Sequence, residues 1–139
     1  MANDNVILGI KNLNKEFRLR GDGLFGKPQT LHALSGVSLD VYEGETLGII
    51  GESGCGKSTL GRCIVGLHEP TSGEIIYNGQ DISKLKGAAR KPVHKDLQMI
   101  FQDSYSSLDP RFTAAASIEE PMIIHGIEPD AAKRQQKVL

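Results

Sequence analysis

Nine residues, Gly51-Glu52-Ser53-Gly54-Cys55-Gly56-Lys57-Ser58-Thr59, constrain this chain more than any others. They fit G-x-x-x-x-G-K-[ST], a spacing with a mechanical meaning. Glycines at Gly51, Gly54 and Gly56 let the backbone turn tightly and present its N–H groups to phosphate oxygens. A lysine adds a point charge, and the following hydroxyl suits a hard cation. The motif needs a strand before it and a helix after it. Leu47-Gly48-Ile49-Ile50 is apolar and β-branched, which predicts a buried strand. Lys57 to Leu67 places Leu60, Ile64 and Leu67 three and four apart, which predicts one helix face. The segment therefore reads as a nucleotide-phosphate cradle. A chance match in a glycine-rich chain would not bring the strand and helix with it.

The rest of the chain supports a single modest domain. It has 139 residues, 39% of them hydrophobic and 24% charged. A formal net charge of −1 gives no bulk attraction for nucleic acid. The two cysteines, Cys55 in the loop and Cys63 in the helix after it, read as reduced thiols rather than a disulfide framework. Cys55 has a redox reading, but a small residue tolerated in the loop is the plainer one. No apolar run approaches the ~20 residues of a membrane span, and Met1 to Asn5, polar and uncharged to acidic, is not expected to open a signal peptide. Direct insertion into a membrane is not expected, so any attachment would go through a partner.

In chain order, Val6 to Ile10 reads as a first strand, and the hairpin has room to continue from Lys11 to Arg20. Gly21 to Thr30 is a loop or hairpin tip. A second strand is predicted at about Gly36 to Val41, where Val37, Leu39 and Val41 alternate with Ser38 and Asp40. Glu43-Gly44-Glu45 turns the chain back. After the break at Glu69 to Gly73, Glu74 to Tyr77 is a strand and Asn78-Gly79 a hairpin turn. The basic stretch Lys84, Lys86, Arg90, Lys91, Lys95 has no interleaved aromatics and reads as a solvated loop or short helix, not a nucleic-acid patch. Asp96 to Phe101 is predicted as a buried strand ending at Gln102. Asp103 to Pro110 is turn-rich. Ala114 to Ile124 is predicted to be helical, with Pro121 near a start or break. Pro129 near N1 opens a last helix, Asp130 to Leu139.

Taken together, YEGETLGIIGESGCGKSTLGRCIVGL, EPTSGEIIYNGQDI and LQMIFQDSYSSLDPR resemble the ATP-binding subunits of ATP-binding-cassette (ABC) transporters. Phe101 to Arg111, with Glu120-Pro121 and Ile124-His125-Gly126, is most similar to the subunits of dipeptide and oligopeptide importers. Nickel and glutathione importers are similar here too. The resemblance implies an α/β fold: a P-loop NTPase with an N-terminal antiparallel β-subdomain at 1–46, a core at 47–103, and the start of a helical subdomain at 104–139. The core would be incomplete, with the chain ending about halfway through the expected domain.

The resemblance also implies cofactors, site residues and partners. ATP and Mg²⁺ are the implied cofactors. Phe17 matches the aromatic that stacks on adenine, its alternative being hairpin packing. Gly51, Glu52, Ser53, Gly54, Cys55, Gly56, Lys57, Ser58 and Thr59 wrap the phosphates. Ser58 and Gln102 reach Mg²⁺, and Gln102 also reaches the attacking water. Residues from Ser104 onward match the segment that docks on a transmembrane partner, and Ser104 stands where proline is usual. Implied partners are transmembrane subunits and a second ATP-binding subunit, with the protein peripheral on the inner face of the cell membrane.

Three family features do not occur in the sequence. No apolar run is followed by Asp-Glu. LSGGQ is absent; Leu34-Ser35-Gly36-Val37 looks like its start but precedes the P-loop. None of His32, His68, His94 and His125 can be assigned as a switch histidine. The catalytic base is therefore not expected among these residues, and the 139-residue chain is expected to bind nucleotide without hydrolysing it. The alternatives are a nucleotide-binding module without turnover and a soluble, non-transport ABC ATPase.

Overall fold

The computed structural model describes residues 5–19, 28–103 and 108–138. The chain divides into two units, Met1–Val93 and His94–Leu139. Most of the predicted loop at Gly21 to Thr30 and the position Ser104 lie outside the described residues.

The first unit is built on a four-stranded antiparallel sheet of order β2-β1-β3-β4. Strand β1 (Val6–Leu19) is continuous through the polar stretch after Ile10. It pairs with β2 (Gln29–Tyr42) from Val6↔Tyr42 to Leu19↔Gln29. On its other edge lies β3 (Ser72–Tyr77), from Leu8↔Tyr77 to Asn14↔Ser72. Beyond Asn14, β1 is laddered to β2 alone among the described residues. The hairpin into β4 (Gln80–Asp81) turns at Asn78 and Gly79 with φ of 47° and 78°. Both are left-handed, as a type I′ turn requires, and Asn-Gly supplies them at least cost.

In β2 the predicted alternation holds: Val37, Leu39 and Val41 are half-buried while Ser38 and Asp40 are exposed. In β1, Ile10 and Leu13 are both fully buried although a strict period of two would separate them. A register shift between them, with Asn12 at φ 48°, returns Leu13 to the core face. With Ile75, Ile82, Leu34, Leu60, Cys63 and Val93 they form the buried apolar set.

Helix α1 spans Lys57–Ile64. Its buried residues are Leu60 and Cys63, while Leu67, which the spacing puts on the core face, is 56% exposed. The cause is local. Gly66 takes φ 81°, and the amides of Leu67 and His68 both turn back onto the Arg62 carbonyl, so the helical period ends before Leu67.

Two predicted buried strands are not strands here. Leu47 to Ile50 takes part in no ladder among the described residues, with Ile49 47% and Ile50 99% exposed. Asp96 closes helix α2 (Lys91–Asp96), and Leu97 to Phe101 follow without a ladder, Ile100 being 94% exposed. Apolar, β-branched sequence favours a strand, but a neighbouring strand must complete it. No described residue does so for either run.

In the second unit, helix α3 (Ala114–Ile124) begins at Thr113, whose Oγ1 accepts from the Ala116 amide at 3.1 Å. Pro121 lies inside this helix, not at a start or break. It is exposed, so water can serve the carbonyl that its missing N–H leaves open. Helix α4 (Ala131–Val138) is capped by Asp130, which accepts from the Ala132 and Lys133 amides at 2.9 and 3.2 Å. Pro129 thus precedes the cap instead of occupying N1. Arg134 ties the two helices, its Nε donating to Glu119 at 2.9 Å.

One acid-sensitive point follows from the β4 turn. The Asp81 carboxylate accepts from the Ser83 hydroxyl (2.6 Å) and amide (2.9 Å), and the hydroxyl contact foremost holds its pKa below the ordinary value. Its contribution is present above the ordinary carboxylate pKa and is lost as pH falls through the lowered one. Asp81→Asn is expected to flatten the acid-side fall of the melting temperature relative to wild type. An unchanged acid slope would refute that assignment.

Candidate nucleotide site

Positive φ angles at Gly54 (82°) and Gly56 (98°) curl the loop before α1. Gly56 is the residue preceding the helix, and no side chain caps the helix there. The first N–H groups of α1 therefore have no capping side chain at Gly56 and face outward as an anion would need, with the positive end of the helix dipole behind them. A Cβ on Gly56 would sit 2.5 Å from the Ala33 carbonyl oxygen of β2, so only glycine lets the loop approach the sheet this closely. Lys57 folds over the loop. Its Nζ donates to the carbonyls of Gly51 at 2.7 Å and Glu52 at 2.6 Å, and lies 3.4 Å from Cys55 Sγ. Ser58 is exposed and Thr59 half-buried.

Gly51 to Thr59 is thus one continuous loop and helix start, with curled backbone, open amides and a half-buried cation. A triphosphate fits this cradle on the observed chemistry. Gly54 and Gly56 curl the backbone without a Cβ, and the loop's lysine already bonds oxygen acceptors. Among the described residues no group of three or more His, Cys, Asp or Glu could hold a metal. Mg²⁺ commonly takes one or two protein oxygens and completes its shell with phosphate and water, so a lone serine hydroxyl suits it.

Phe17 lies in the stretch of β1 that, among the described residues, pairs with β2 alone, opposite Leu31. Its ring meets His68 edge to face, 5.3 Å between centroids. Lys15 Nζ stands 4.8 Å from the ring centroid while donating to the Glu69 carbonyl at 2.8 Å. The ring is thereby fixed against the segment that follows α1. Gln102 belongs to the second unit and is exposed at a bend. Nearby in sequence, Arg111 Nη2 bonds Asp109 at 2.6 Å, holding that carboxyl below its usual range.

Both cysteines are free thiols. Cys55 is exposed, whereas Cys63 is buried, and burial pushes its thiol pKa up. Sequence reasoning missed Lys15 and His68, which only the packing of Phe17 identifies. It also assigned Arg90 to a solvated stretch, and Arg90 is 6% exposed.

A family profile described as "ABC transporter" matches residues 34–139. The chain is 44% identical over 138 residues to the oligopeptide transport ATP-binding protein OppF of Haemophilus influenzae, covering 98% of this chain and 42% of the relative. It is 48% identical to the oligopeptide transport ATP-binding protein AppF of Bacillus subtilis, covering 91% of this chain and 39% of that protein. It is 46% identical to the glutathione import ATP-binding protein GsiA of Pectobacterium atrosepticum, covering 91% of this chain and 20% of that one. The chain therefore spans well under half the length of these relatives. Among solved structures, a dimeric ATP-binding cassette bound to ADP and Pi superposes with a TM-score of 0.76 at 27% identity, over 94% of this chain and 53% of the other.

Proposed function

Since the chain belongs to the ABC transporter family, we propose that it forms the nucleotide-binding part of an ATP-binding subunit that powers import of peptides or a similar small solute. The observation that carries this reading is the loop itself: left-handed glycines, open helix amides and Lys57 converge where a triphosphate would lie. In the proposed complex, the amides of Gly51 to Thr59 and the Lys57 ammonium hold the β- and γ-phosphates. Phe17 stacks on the adenine. Ser58 would hold Mg²⁺, which when bound neutralises charge on the phosphates, and the resemblance assigns Gln102 to the same ion. Gln102 further orients the attacking water. The subunit works with transmembrane subunits and a second ATP-binding subunit, peripheral on the inner face of the membrane. No helix among the described residues is long and apolar enough to cross a membrane. The proposed division of labour leaves solute selectivity to other subunits. The relatives named for oligopeptide and glutathione import support the solute class.

The test is peptide uptake by cells whose importer carries the whole protein together with its other subunits, every other peptide importer being deleted. Lys57→Ala is expected to abolish uptake while the subunit remains bound to its membrane partners. Undiminished uptake would end this reading.

A further inference from the structure

Arg90 is the most buried charged residue described, and the proposed nucleotide chemistry does not use it. It ends the short 3-10 turn Gly87–Arg90. Its Nη1 donates to the Ile82 carbonyl at 2.8 Å and its Nη2 to the Ile64 carbonyl at 2.9 Å. Ile64 is the last residue of α1, the helix whose opposite end begins at Lys57. Gly66 makes room for the guanidinium. A Cβ there would fall 2.1 Å from Arg90 Nε and 2.3 Å from Cζ. Nε itself is buried with no hydrogen-bond partner among the described residues, so the two carbonyls are what fix the group.

We infer that Arg90 is a positioning residue for the phosphate site, acting through α1. The guanidinium clamps the carbonyl end of a two-turn helix to the segment after β4. A helix this short has little stiffness of its own and takes its direction from what holds its ends. The amide end then points where the C-terminal clamp lets it point. A cation at the C-terminus also complements the dipole whose positive end faces the anion. Arginine is suited to the task because its planar fork reaches two carbonyls at once, whereas a lysine ammonium is a single point.

The inference rests on the proposed nucleotide site and is tested separately from it. Wild type is titrated with Mg-ATP beside Arg90→Lys, Gly66→Ala and, as a charge control at an exposed position, Lys84→Ala. Circular dichroism first establishes which variants are folded. Arg90→Lys keeps the charge but loses the fork, and Gly66→Ala keeps the arginine but displaces it. Both are expected to raise the ATP Kd about fivefold or more, as couplings through a packed element do, with Lys84→Ala unchanged. By reciprocity, ATP should slow hydrogen exchange at Val65 and Gly66 in the wild type, a readout that needs no variant to fold. No binding by wild type defeats the nucleotide reading. Binding by wild type with unchanged Kd in a folded Arg90→Lys, or with no added protection at Val65 and Gly66, overturns the role of Arg90.

Discussion

Lys57→Ala is expected to raise the Kd for Mg-ATP by roughly 10- to 150-fold, the equivalent of about 1.5–3 kcal/mol for a charge-assisted contact. The ammonium is not idle before nucleotide arrives, because it bonds the Gly51 and Glu52 carbonyls at 2.7 and 2.6 Å. Binding is an exchange of these acceptors for phosphate oxygens, which favours the lower half of that range. The loop's curl comes from Gly54 and Gly56, so the variant should keep α1 and lose affinity alone. Titration with a fluorescent ATP analogue, alongside a melting curve, measures both. Equal affinity for the two proteins would mean that the lysine serves only its own loop.

The largest effect on stability is expected from Gly73→Ala. Gly73 sits in β3 at φ 93°, and a Cβ there would lie 2.4 Å from the Asn12 carbonyl oxygen and 2.7 Å from Leu13 Cα. Both are backbone atoms of β1 beside the bulge that buries Leu13, so no side chain can swing aside. The left-handed conformation alone costs an L-residue about 1–2 kcal/mol, and overpacking adds about 1–3 more. The sum, roughly 2–5 kcal/mol, is a large share of a domain's usual margin. Gly79→Ala separates the two terms. Its φ is 78° but nothing lies within 4 Å of the added Cβ, so only the conformational term remains. If denaturant melts place the two alanine variants at the same stability, the steric account of Gly73 fails.

Where the sequence was informative, it carried a local physical code. The loop's spacing, the Asn78-Gly79 turn and the alternation in β2 each depend on residues adjacent in the chain, and each is realised. Leu47 to Ile50 and Leu97 to Phe101 are different. Their composition favours strands, but whether a strand forms depends on a neighbour that no local pattern supplies. Leu13 and Leu67 show a second limit, since a bulge and an early helix stop shift the periodicity that predicts burial. Arg90 shows a third. A buried arginine and a solvated one look alike in sequence, and only the carbonyls of Ile64 and Ile82 tell them apart.

Among the described residues, strand β1 has two neighbours as far as Asn14 and one from Lys15 to Leu19. In the proposed site, the base would therefore rest on a two-stranded ribbon and the phosphates on a helix anchored in the core. Two-stranded ribbons open at lower cost than laddered, buried elements. Warming should loosen the grip on the purine before the grip on the phosphates. Discrimination between ATP and other nucleoside triphosphates then fades while triphosphate binding persists, so the site grows more permissive with temperature before it fails.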